Sequence, residues 1–169
     1  MFKWKKMGRV FDPMKVENRP WLKEFAQAPA TLIFDDFLRI YFACRPPRDP
    51  NTGQYVSHTA YVDVKKDNFM DIIRFAEKPV FELGAPGTFD EFGTYPTSIQ
   101  RHDGELVAYV GGWTRCSSVA FTVGIGKAYS HDDGKTFEPS ITIGADELHS
   151  GKYFQHMSID GHGGIHMAW

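Results

Sequence analysis

The sequence predicts an all-β chain: a β-propeller of four-stranded antiparallel blades, incomplete in one chain at about two and a half blades. Three observations predict it. The composition is rich in aromatics, with 14 Phe, 7 Tyr and 4 Trp, punctuated by 16 Gly and 10 Pro. Short packed strands joined by tight turns use these residue types. Three segments repeat, Ala28–Arg45, Tyr95–Arg115 and His156–Trp169, each an apolar strand, a turn rich in Asp or Gly and a second strand of alternating apolar residues. Helical spacing is sustained nowhere, and Pro20 limits Glu17–Gln27 to a turn of helix at most.

The repeats recur every sixty residues or so, longer than a typical blade of about 40–45, but four strands with long connections fill that length. Strand A is Ala30–Phe34, then Thr97–Arg101; strand B is Leu38–Cys44, then Glu105–Trp113. Strand C is Ser57–Val64, then Phe121–Ser130; strand D is Lys78–Leu83, then Glu138–Gly144. Turn-forming clusters separate them, "FDDF" and "RHDGE" between A and B, "KKDN" and "HDDGKT" between C and D. Lys3–Asp12 resembles the D segments. The chain therefore divides into a lead-in D-type strand (1–22), a first blade (23–84), a second blade (85–144) and a half blade (145–169), all in one partial domain.

Unpaired strand edges recruit partners. Two chains close a ring if the lead-in strand of one completes the AB pair of the other, which makes a homodimer the expected partner arrangement. A longer chain with further blades is the alternative.

The formal charge of −2 and pI near 6.4 leave no basic surplus for phosphate backbones, so nucleic acid is not expected. No run is apolar enough to span a membrane. The basic beginning lacks an apolar signal region, so a cytoplasmic location is expected. Cys44 and Cys116 have no metal-ligand spacing and read as buried thiols. His156, His162 and His166 form no metal triad, since alternation puts His162 in a turn and His166 in a strand, and neither a metal nor a cofactor is expected.

A meandering blade puts its B–C and D–A connections on one rim. That rim carries the acids Asp90, Glu91 and Glu147, together with Gln27, Arg45, Tyr95, Trp113, Arg115 and His156. The acids are catalysts or solvated loop residues. The arginines bind an anionic group or hold loops, and the aromatics stack on a sugar or pack in the core. "SHDDGKTF" (Ser130–Phe137) lies on the opposite rim and looks like the Asp-box of sialidases. Its residues suit a tight turn: Asp132 accepts N–H groups, Gly134 takes a positive φ and Phe137 anchors the hairpin. It reads as scaffold.

Together with the Asp-box, "FDEFGTYPTSI" and "GGWTRC" resemble the five-bladed β-propeller glycosidases, a group that includes arabinanases, fructosidases and mannoside phosphorylases. The resemblance covers Phe11–Gly144 and implies a glycan-active protein, a glycoside hydrolase or phosphorylase with carbohydrate as its partner. It implies paired carboxylates at the starts of the innermost strands, one to protonate the leaving oxygen and one to attack or to activate water. This chain departs from that pattern, with Gln27-Ala28, Tyr95-Pro96-Thr97 and Gln155-His156 where relatives carry acids. The nearest acids are Asp90, Glu91 and Glu147, which take the catalytic role in this reading. The alternative is a non-catalytic carbohydrate-binding or structural propeller, or an inactive fragment.

Overall fold

The computed structural model describes residues 2–143 and the backbone of 156–159 and 165–168. It is all-β. The first sheet has the order β1 (Glu24–Ile33), β2 (Phe37–Arg45), β3 (His58–Lys65), β4 (Ile72–Phe75), and the second β5 (Gly93–His102), β6 (Glu105–Arg115), β7 (Phe121–Ser130), β8 (Ile141–Ile143). A third pair joins β9 (His156–Ile159) to β10 (Ile165–Ala168). All pairings are antiparallel. β5 contacts both β1 and β9, so the first strands of successive sheets are neighbours. Among the described residues helix is confined to one short 3-10 turn, Pro13–Lys15, and no helix is long and apolar enough to cross a membrane.

The middle strands follow from their sequences. β2, β3 and β6 are apolar on successive residues because both faces are covered, while β1, at a sheet edge, is mostly exposed. The "HDG" turn between β5 and β6 places Asp103 and Gly104 at φ 50° and 84°, as a two-residue hairpin turn matched to strand twist requires. One core runs between the sheets, with Tyr41, Val62 and Val64 from the first against Leu106, Ala108, Val110 and Phe137 from the second.

Three expectations are corrected. The fourth strand of the first sheet is Ile72–Phe75, not Lys78–Leu83. Pro79 has no N–H for a ladder, and the segment instead turns toward the second sheet, where the Val80 carbonyl accepts from the Phe137 N–H at 3.0 Å. Pro139 likewise shortens the second D strand to Ile141–Ile143. Lys3–Asp12 forms no strand; Phe11 packs on Phe42 and Phe75 with ring centroids 5.1 and 6.5 Å apart, so this segment covers the first sheet instead of extending one. Cys44 is buried, and burial pushes its thiol up to about 12, whereas Cys116 is half-buried.

The two sheets are tied together at the β7–β8 turn. Ser130 Oγ accepts the Gly134 N–H at 2.9 Å, and Asp132 accepts the Thr136 N–H at 2.9 Å and its hydroxyl at 2.6 Å. These bonds leave the Asp133 and Gly134 carbonyls pointing at the first sheet. Arg39 donates to Asp133 O at 2.7 Å, and the Tyr41 hydroxyl donates to Gly134 O at 2.9 Å. Gly134 sits at φ 74°, and a Cβ there would lie 2.2 Å from the Tyr41 oxygen, so both conformation and space require glycine. Arg39 and Asp63 are cross-strand partners with side chains 1% and 0% exposed, joined at 2.7 and 2.8 Å; Arg74 completes the row, 2.7 Å from Asp63.

Truncating one member of a fully buried ion pair strands the other charge. Asp63→Ala should therefore lower stability by about 3–5 kcal/mol in urea unfolding, whereas a loss below about 1 kcal/mol would contradict a buried pair.

Asp132 supplies a second test. Burial alone would raise its carboxyl, but hydrogen bonds from Thr136 and Ser130 outweigh burial and hold it below the ordinary carboxylate value. A depressed folded value contributes stability that is present above the unfolded pKa and lost as pH falls through the folded one. Asp132→Ala should cost about 1–2 kcal/mol at neutral pH. Thermal melts should show the gap from wild type narrowing as acid protonates Asp132.

Candidate functional site

The opposite ends of the same strands line an open cavity of about 220 Å³. β7 runs from Phe121 at the cavity to Ser130 at the β7–β8 turn, so its ten residues separate the two features by about 30 Å. Gln27 and Ala28 of β1, Arg45 of β2, Tyr95 of β5 and Trp113 of β6 line the cavity. Tyr55 and Ser57 enter from the β2–β3 connection, and Phe121 and Val123 from the start of β7.

The two large aromatics are fixed by glycines on the paired strand. Gly93 is the register partner of Trp113, and Gly111 that of Tyr95. A Cβ on Gly93 would lie 1.8 Å from the Trp113 indole nitrogen, and one on Gly111 would lie 2.1 Å from the Tyr95 ring. Each ring therefore rests on bare backbone. Tyr55 and Phe121 brace the indole at 5.9 and 6.4 Å between centroids. Burial raises the Tyr95 hydroxyl, keeping it a neutral phenol at physiological pH.

Polar groups converge beside the rings. Arg45 Nε donates to Ser57 Oγ at 3.2 Å, and its guanidinium lies over the Tyr55 ring at 4.0 Å. Ser57 bridges the sheets, its N–H donating to Phe92 O and its carbonyl accepting from the Thr94 N–H, both at 3.0 Å. Gln27 sits between two register shifts of β1 and is flanked by Phe25 and Ala28 at φ 64° and 49°. Left-handed backbone is costly for these residue types and clusters at functional sites.

The structure thus brings Gln27, Arg45, Tyr95 and Trp113 together and places the remaining candidates elsewhere. Arg115 stands behind the cavity, stacking on Phe92 at 3.9 Å and donating to Tyr55 O at 3.0 Å. Asp90 is buried and accepts hydroxyls from Ser140 at 2.6 Å and Thr88 at 2.8 Å, which clamps its loop onto the second sheet. Glu91 accepts from the Gly87 N–H at 2.8 Å and from the Thr114 hydroxyl at 3.4 Å. Neither acid lines the cavity. Between them and the strands, Phe89 fills a trough where a Cβ on Gly112 or Gly126 would meet its ring at 2.7 or 2.6 Å. Glu147 lies outside the described residues, as does the side chain of His156, whose backbone is in β9.

Sequence reasoning did not single out Tyr55, Ser57 or Phe121. Tyr55 and Ser57 close a long rim loop, and Phe121 opens a C strand at the same rim; strand direction was the available signal. Among the described residues no group of three or more His, Cys, Asp or Glu is placed to hold a metal ion. No protein-family model and no curated protein sequence matches this chain.

The glycine seats make a prediction. Gly111→Ala forces the Tyr95 ring to move, so urea unfolding should show a loss of about 1–3 kcal/mol. An unchanged midpoint would mean that the ring does not rest there.

Proposed function

We propose that this chain is a carbohydrate-binding protein of β-propeller architecture, and that the cavity holding Tyr95, Trp113, Gln27, Ser57 and Arg45 takes one sugar ring. The observation that carries the reading is the pair of glycine-seated aromatics beside convergent polar side chains. Such a surface stacks on the apolar face of a sugar while its polar groups meet the hydroxyls. The volume, below the range of about 300–1,000 Å³ for drug-sized ligands, suits a single ring. Support for the propeller comes from the matching order of the two four-stranded sheets and the succession β1, β5, β9 of neighbouring first strands. The resemblance of "FDEFGTYPTSI", "GGWTRC" and the Asp-box to propeller glycosidases points the same way.

Binding is favoured over cleavage because Asp90 and Glu91 are engaged in holding their loop. A second reading, glycoside hydrolysis or phosphorolysis in the same cavity, is favoured by the left-handed backbone on either side of Gln27. Glycan-array binding beside turnover of aryl glycosides, with and without phosphate, separates the two. Binding without turnover is expected, and Trp113→Ala should weaken it about two- to tenfold, given that aromatic stacking contributes about 0.5–1.5 kcal/mol beyond area burial. Turnover lost in Asp90→Asn but retained in Trp113→Ala would reverse the assignment.

A further inference from the structure

We propose that the sugar bound in this cavity is anionic, carrying a carboxylate or phosphate, and that Arg45 receives that group; this rests on the sugar-binding reading above. Three arginines gather around Tyr55. Arg45 and Arg48 lie 4.0 and 4.9 Å from the ring centroid, and Arg115 donates to the Tyr55 carbonyl at 3.0 Å. The whole chain has a formal charge of −2, so this cluster is not one part of a generally basic surface. Gathering like charges is unfavourable unless something neutralises them. Among the described residues none of the three forms an ion pair. Two acids of the neighbouring loops are committed elsewhere: Asp49 accepts the N–H groups of Asn51 and Thr52, and Glu91 accepts the Gly87 N–H and the Thr114 hydroxyl.

The three guanidinium groups are not equivalent. Arg115 is a positioning residue, with its Nη2 bonded to Tyr55 and its face on Phe92. Arg48 bonds weakly within its own exposed loop, to Gly53 O at 3.4 Å, and contributes field. Arg45 alone of the three lines the cavity. Its Nε is anchored by Ser57 and its face by Tyr55, which fixes the plane, and no described protein group accepts from its two Nη atoms. A guanidinium held in plane with a free fork is the donor that oxyanions match bidentately. The rings of Trp113 and Tyr95 would then hold the sugar to which the anion is attached.

Calorimetric titration of the full chain with glucuronate, a hexose phosphate, methyl glucoside and inorganic phosphate tests this. At least one anionic sugar should bind about tenfold or more tighter than methyl glucoside, the usual worth of a charge-assisted hydrogen bond. Which of the two binds identifies the oxyanion. The preference should shrink as salt rises from about 50 to about 300 mM. Arg45→Gln should reduce the anionic sugar to the affinity of the neutral one, and Arg45→Lys should restore only part of the difference. Arg48→Gln, at an exposed position, should keep the fold and lower the anionic preference a few-fold. Equal affinity for methyl glucoside, or a preference that survives Arg45→Gln or is untouched by Arg48→Gln, overturns the proposal while leaving sugar binding intact. Inorganic phosphate binding as tightly as the hexose phosphate overturns it too, since the site would then read only the anion. Binding of no sugar at all overturns the underlying reading.

Discussion

The Arg39 guanidinium sits in the interior between the two sheets, and most of the architecture can be traced to what that charge demands. Desolvating it is expensive unless every donor finds an acceptor. Asp63 on the neighbouring strand supplies two oxygens, and the Asp133 carbonyl in the β7–β8 turn supplies a third acceptor. The ring of Tyr61, 3.9 Å away, covers the cation's face. The third acceptor belongs to the other sheet, so the charge can be satisfied only when the two sheets are docked in one register. The Asp132 hydrogen bonds matter for this reason: they shape the turn that presents the carbonyls. The Ser130–Phe137 segment thereby acts as a socket for the first sheet.

Fixing one end of the strands leaves the other end free to carry the cavity. There the sequence spends glycine on space: Gly93 and Gly111 let Trp113 and Tyr95 lie flat where larger residues would hold them off. The Ser57 backbone joins the first sheet to the start of β5, so the aromatic seats and the Arg45 anchor belong to one rigid frame. A site built on strands in this way is held more closely than one built on loops. The strained backbone around Gln27 lies at the same end, on the exposed edge strand β1.

The parts of this arrangement legible in the sequence were those written in local pattern. β7 has the bounds that alternation gave it, Phe121–Ser130, and β2, β3 and β6 fall within two residues of theirs. Strand direction alone put Gln27, Arg45, Tyr95 and Trp113 on one rim. The fourth strand of the first sheet was misplaced and that of the second begun too early, because apolar residues near Pro79 and Pro139 look like strand while the missing N–H groups prevent a ladder. Asp90 could not be judged from sequence, because its main partner, Ser140, lies 50 residues away. The Arg39–Asp63 pair was invisible for a related cause: cross-strand register decides it, and a slip of one residue in either strand would put the two side chains on opposite faces.

The central claim is that one end of the strands is scaffold and the other is the site, and hydrogen–deuterium exchange with and without a bound sugar tests it most directly. The account predicts added protection at Phe25–Ala28, Tyr55–Ser57 and the ends of β5 and β6 that hold Tyr95 and Trp113. It predicts none at Ser130–Phe137, at the end of β7 away from the cavity. Sugar-dependent protection concentrated at Ser130–Phe137, with the cavity segments unchanged, would contradict it.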